Sequence, residues 1–284
     1  MNKYALSDRP ECGESVEPPV PVSLLQTFGA SVAEHVSGLG AGAWVLTGRD
    51  GEDVVATTAS PAAVEMARAA ADVFVGPRVL GAMDGWLVCE RLYGSHLTSL
   101  ELRRPPVLDE LATMFARLHS ATVALPTASM LDSLRRYADE AGSSLDVRVA
   151  EAVAWADDVL TDLTAHTMRR VPCHLDVAAN VIATDHGMRF IDFDFAAFAD
   201  PAQELGQLLW EAELDERGAV RLIDGYARQT GLEVAESATW CLVAGVTWTL
   251  WASSPKRAKM ARYSRRSGER LVRHWAWRER GPCG

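Results

Sequence analysis

Between Cys173 and Gly206 the chain reads CHLDVAANVIATDHGMRFIDFDFAAFADPAQELG. His174 and Asp176 are followed by Asn180, and a turn around Asp185 to Gly187 leads into an apolar run that ends in Asp192. Phosphoryl transfer uses such groups in this order: a carboxylate to orient an attacking hydroxyl, then an amide and a second carboxylate to hold magnesium on nucleotide phosphates. Asp176 fits the catalytic carboxylate, able to accept or align the hydroxyl proton. Asn180 and Asp192 are hard oxygen ligands suited to magnesium, which takes one or two carboxylates plus phosphate oxygens. His174 reads as an anchor for the loop. Asp194 is either a second metal or substrate contact or a solvated loop carboxylate. Asp and Asn also favour turns, but Asp176, Asn180, Asp192, Asp194 and Asp200 crowd among apolar neighbours, where an uncompensated carboxylate is costly. A shared cation would relieve that cost.

Outward from this stretch, the chain divides by periodicity. Upstream, EHVSGLG, AWVLTG and EDVVATTA are strand-length runs separated by glycines and an Asp50-Gly51 turn, the pattern of hairpin-connected strands. A helix follows from Pro61, then PRVL and, past Asp84-Gly85, GWLVCERL as two further strands. The turn holding Gly38, Gly40 and Gly42 is either a tight hairpin or a place where backbone amides approach phosphates, so Gly40 and Gly42 are candidate nucleotide contacts. From Leu108 the spacing becomes helical, with helices expected over 108–125, 129–142, 151–166, 202–214, 216–231 and 235–253. Strands first and helices afterwards indicate an α+β protein, with a small sheet lobe carrying one helix and a larger, mainly helical lobe. The expected division is a loose arm over 1–20, a nucleotide-binding lobe over 21–93, a helical lobe over 94–254 and a basic tail over 255–284.

The 284 residues carry a net charge of −10, unevenly placed. Ten Lys or Arg stand against two Glu from Pro255 onward, which leaves the first 254 residues at −18. An acidic body repels nucleic acid and attracts cationic small molecules. Glu211, Glu213 and Asp215 are placed either to draw in a cationic acceptor or as solvated helix-end charge. The tail reads either as a helix face packed on the acidic body or as a surface for an anionic partner. No apolar run reaches membrane-spanning length, the polar N-terminus lacks the order of a signal peptide, and the five cysteines are scattered. A cytoplasmic protein without disulfides or a zinc site is expected.

The motifs CHLDVAANVI and FIDFDFAAFADPAQELGQLLWE resemble the aminoglycoside phosphotransferase and choline kinase family, and LVCERLYGSHL, ARLHS and LIDGYARQTG are similar to its interlobe hinge, the end of its first large helix and a late helix. The resemblance implies a protein-kinase-like two-lobed fold and ATP-dependent transfer of the γ-phosphate to a hydroxyl of a small molecule. By it, Asp176 is the base, Asn180 and Asp192 hold Mg2+, backbone groups of Glu90 and Leu92 meet the adenine, and Asp200 and Glu204 are architectural. Two departures stand out. Only Val177, Ala178 and Ala179 separate base from Asn, where the family leaves four residues. The third strand, DVVATTA, has Thr57 or Thr58 where the family has a lysine, and Glu65 then reads as a surface helix residue. Arg68, Arg78 or a tail arginine, or a partner chain, would have to supply the missing charge, and weak ATP affinity is expected. The acceptor is a small cationic metabolite or antibiotic, or else Ser or Thr of a ribosomal precursor peptide. A silent kinase-like binding module is the remaining alternative.

Overall fold

The computed structural model describes residues 20–36, 43–142, 145–165 and 169–280. They fall into two compact units: residues up to Pro126 together with Pro172–Ala197, and Thr127–Val171 together with Phe198 onward.

The first unit begins with α1 (Val22–Thr27), β1 (Ala30–Val36), β2 (Ala43–Gly48) and β3 (Asp53–Thr58). Helix α2 (Pro61–Asp72) separates these from β4 (Val79–Met83) and β5 (Trp86–Glu90). The five strands form one antiparallel sheet in the order β1-β2-β3-β5-β4, as the hairpin pattern predicts. Strand β1 starts earlier than expected because Gly29, at φ +61°, turns the chain out of α1. Side chains alternate across a strand, and the register sets Ala56 against Trp44 and Val88. Leu24, Leu46, Ala56, Trp86 and Val88 make one buried cluster that α1 covers. Val55 and Thr57 therefore face the opposite side of the sheet. The Gly38, Gly40 and Gly42 turn lies outside the described residues.

Helix α2 is fixed at its start by Pro61 and by the Ser60 hydroxyl, which accepts from Ala63 N–H at 3.1 Å, a cap combination suited to a first turn. Beyond β5 come β6 (Gly94–His96), α3 (Ser99–Leu102) and α4 (Pro105–His119). The expected helix through Leu125 stops short. The Ser120 hydroxyl bonds back to Arg117 O at 2.7 Å, and Ser120 and Ala121 N–H groups close on Arg117 and Leu118 carbonyls.

The second unit contains α5 (Met130–Ala141) and α6 (Val147–Ala165). After the short strand β7 (Val171–Cys173), the chain returns to the first unit for β8 (Val181–Thr184) and β9 (Gly187–Phe190). These make the expected hairpin, with β6 added on its outer side in the order β6-β8-β9. Strand β10 (Ala197–Ala199) leads into α7 (Pro201–Glu211), α8 (Glu216–Thr230), α9 (Ser237–Ser253) and α10 (Ala261–Arg280). Helix α9 is apolar on all faces and buried, as such a helix must be, with α5, α6, α7 and α10 packed around it. Its approach to α7 depends on glycines. A Cβ at Gly206 would lie 2.7 Å from Cys241 N, and one at Gly245 would lie 2.7 Å from the Trp210 ring.

The basic tail forms α10 and the turn before it. Arg257 bonds Glu140 at 2.7 Å and lies over the Trp251 and Tyr137 rings. Arg266 bonds Glu213 at 2.6 Å, and Arg270 stacks 4.0 Å above Trp210. These contacts pack the described part of the tail on acidic side chains of the helical unit.

Candidate active site

The described candidate groups of the nucleotide and metal site all lie in the first unit. His174 is fully buried between Phe190 and Phe193, at ring separations of 5.7 and 4.8 Å. Its Nδ1 accepts the Asp176 N–H at 3.3 Å while Nε2 faces Ile191 O at 2.8 Å. A ring nitrogen that faces a carbonyl must carry its proton, which puts the hydrogen on Nε2. The imidazole thus joins residues 174, 176 and 191, an anchoring geometry.

Leu175 has φ 63°, a conformation that a leucine adopts only when its surroundings impose it. The chain next makes one turn of 3-10 helix over Val177–Ala179, closed by Asn180 N–H to Val177 O at 2.9 Å. Such a turn has three residues, so Asn180 returns over Asp176 although only three residues intervene. Its amide nitrogen donates to Asp176 O at 2.7 Å and to Asp176 Oδ2 at 3.1 Å. The shortened loop therefore still pairs the two side chains, both of them buried. With the nitrogen committed to Asp176, the amide oxygen is the atom Asn180 has for a cation.

Main-chain bonding from Ile191 N–H to Asn180 O, 3.0 Å, ties the loop to the residue before Asp192. Asp192 has φ 62°, and a turn follows in which Ala196 N–H meets Phe193 O. The strand therefore does not continue to Asp194. Instead the Asp194 N–H reaches the Asp192 carboxyl. Burial pushes both carboxyls above their ordinary range, with Asp176 adding to the effect at Asp192, and Asp192 adding to it at Asp194. Once ionised, the two carboxylates, with the amide oxygen of Asn180, supply hard oxygen atoms of the kind Mg2+ takes, and the ion's charge would ease their ionisation.

At the end of β5, Glu90 N–H donates to Arg78 O, and its carboxylate accepts Arg78 N–H at 2.8 Å. The Leu92 N–H is hydrogen-bonded to no described residue. Asp53 braces this segment by accepting from Thr47 at 2.8 Å and from Arg91. Glu65 pairs with Arg68 on the exposed side of α2, and Arg78 pairs with Glu90. Two of the arginines considered as replacements for the absent lysine are thus engaged locally. Asp215 caps α8 by accepting from Gly218 N–H at 2.8 Å, and Glu211 ends α7; both belong to the second unit.

A model of the phosphotransferase enzyme family matches residues 35–237. The chain belongs to that family. LicA of Haemophilus influenzae is 26% identical over 165 residues, covering 54% of this chain and 47% of LicA. Thiamine kinase of Salmonella heidelberg is 27% identical over 165 residues, 57% of this chain and 56% of that enzyme. The match spans about half the length of these curated relatives. A choline/ethanolamine kinase family protein from Mesorhizobium loti superposes with a TM-score of 0.71 at 20% identity, covering 90% of this chain and 91% of that one. The kinase-like fold expected from the motifs is therefore the fold observed, and the α+β class holds. No helix among the described residues is long and apolar enough to cross a membrane.

Strand β6 and its residue His96 were not singled out by sequence reasoning. Three polar or small residues after the hinge carry too little periodicity to mark a strand. His96 lies beside the loop, its Nδ1 3.4 Å from Ala179 O.

Proposed function

We propose that this member of the phosphotransferase family moves the γ-phosphate of ATP to a hydroxyl of a small cationic metabolite. The observation that supports this most is the Asp176–Asn180 hydrogen bond, which keeps base and amide paired despite the shortened loop. Asn180 holds Asp176 Oδ2, and the Asp176 carboxylate would align or take the proton of an acceptor hydroxyl. Asn180 and Asp192 would hold Mg2+, which when bound supplies charge neutralisation for the nucleotide phosphates. Asp194 stands close enough to Asp192 to assist with metal or acceptor. The Leu92 N–H and the Glu90 carbonyl offer the adenine a donor and an acceptor.

The acceptor's positive charge is supported by the acidity of the chain before the tail, with Glu211 and Asp215 as candidate attractors. The absence of lysine from the sheet supports weak nucleotide binding and keeps a silent binding module as the competing reading. Transfer of labelled γ-phosphate from ATP to thiamine, choline or an aminoglycoside decides between them. Transfer by wild type and none by Asp176→Asn is expected. No transfer to any small alcohol, by protein that still binds ligands, would leave the binding module.

A further inference from the structure

Helix α7 is buried along most of its length, yet it carries polar side chains inside. Gln203, Glu204 and Gln207 are all buried, and Glu211 at its end is half-buried. Residues four apart share one face of a helix, about 6 Å from one another along its axis. Gln203, Gln207 and Glu211 therefore form one polar stripe along α7.

Within the stripe, Gln207 Oε1 is closed off from solvent and accepts no hydrogen bond from any described residue. An amide oxygen left in that state costs stability, because it has given up water and gained nothing in return. The helix has no freedom to shift and find it a donor. At its start Asp200 accepts from Ala202 N–H at 2.8 Å, and along its length Gly206 and Trp210 lie tight against α9. Gln207 itself keeps 7% of its surface exposed, and a half-turn about the broad terminal torsion of a glutamine exchanges its oxygen and nitrogen. The oxygen can thus be presented to a ligand on the face that ends in Glu211. An ammonium with N–H groups satisfies both an amide oxygen and a carboxylate. A quaternary ammonium has no N–H, so it is drawn to the carboxylate but leaves the oxygen unpaired.

We propose that Gln207 makes the chain select acceptors whose positive charge is an N–H-bearing amine over those with a quaternary nitrogen. This rests on the phosphotransfer reading, with Glu211 as an attractor of the acceptor's charge. The test measures kcat/KM for γ-phosphate transfer to ethanolamine, its mono- and dimethyl forms and choline, with an aminoglycoside and thiamine alongside, in wild type, Gln207→Met and Gln207→Glu. In wild type the last methylation, from dimethylethanolamine to choline, is expected to lower kcat/KM by about tenfold or more, the scale of one hydrogen bond from a charged donor. Gln207→Met, of similar length but without the amide, should remove that step, and Gln207→Glu, which keeps an acceptor oxygen, should retain it. Should the aminoglycoside alone accept phosphate, its kcat/KM should fall by the same factor in Gln207→Met. Without ligand, Gln207→Met should melt at or above wild type, because it removes an unpaired polar group; a purely structural glutamine would give a lower melting temperature. A wild-type preference for choline or thiamine, or kcat/KM values unchanged by Gln207→Met, overturns the assignment while leaving phosphotransfer intact. Wild type that transfers phosphate to none of these acceptors overturns the functional reading and this one with it.

Discussion

Carboxylates are treated in opposite ways in the helical unit and around the Asp176 loop. In the helical unit Glu140, Asp157 and Glu213 meet Arg257, Arg135 and Arg266 at 2.6 to 2.7 Å. Hydrogen bonds from Arg257 and Arg135 hold Glu140 and Asp157 below the ordinary carboxylate range. Around the loop, Asp192 and Asp194 pair with no arginine or lysine among the described residues, and burial drives them upward instead. The chain has 28 basic residues, so cations are not scarce; they are placed elsewhere. Acids paired with no arginine or lysine at a strained turn cost stability, and a cation arriving with a ligand would offset that cost.

The contrast breaks first if Asp176 is not the reacting carboxylate. Asp176→Asn should lower the rate of γ-phosphate transfer by about 10²- to 10⁴-fold with little change in melting temperature, because the Asn180 bond to the Asp176 backbone carbonyl remains. Initial rates with the best acceptor check this, and an active Asp176→Asn enzyme would remove the loop from the chemistry. Next in size, Asp192→Asn should weaken Mg2+-dependent nucleotide binding by about 10- to 100-fold. Titration with ADP, with and without Mg2+, is the measurement; an equal Mg2+ effect in both proteins would place the metal elsewhere.

For the arginine-braced side, Arg257→Met removes a guanidinium lying over two rings and should cost about 1–2 kcal/mol. The loss should shrink in high salt, since part of it is an ion pair near the surface. Thermal melts at two ionic strengths test both statements, and an unchanged melt would make the tail's packing on the acidic helices incidental.

Most of the fold was legible because its signals are local. Hairpin turns at Asp50-Gly51 and Asp84-Gly85, Pro61 opening α2 and the apolar spacing of α9 each determine their own element. The order Asp176, Asn180, Asp192 was legible for the same reason. What the residues could not show was the effect of a missing residue in the loop. Three intervening residues leave the side-chain geometry open until the backbone takes a 3-10 turn, at whose start the buried His174 ring accepts the Asp176 N–H. Thr57 and Thr58 could not be told apart either, because only the pairing of β3 with its neighbours says which face each takes. The approach of His96 to Ala179 was not legible, because it joins residues 83 apart in the chain.

The smallest expected effect is a change of stability with pH, and its sign differs between the two regions. Asp194 in the fold titrates above its ordinary 3.8. The fold therefore tolerates the protonated form better, and the stability this contributes is present below 3.8 and lost as pH rises through the raised value. Asp194→Asn keeps the uncharged form at every pH, so without Mg2+ it should melt above wild type at neutral pH and converge with it in acid. Glu140 titrates below its ordinary 4.5, so its contribution is present above 4.5 and lost as pH falls through the lowered value. Arg257→Met should accordingly melt below wild type at neutral pH, and the gap should narrow in acid to what the lost ring contacts contribute. Melting curves from pH 3.5 to 8 separate the two variants by direction. Added Mg2+ should favour wild type over Asp194→Asn if Asp194 shares the ion, closing the neutral gap from the wild-type side. A lower melting temperature for Asp194→Asn in metal-free neutral buffer would mean that the carboxylate is already compensated within the protein.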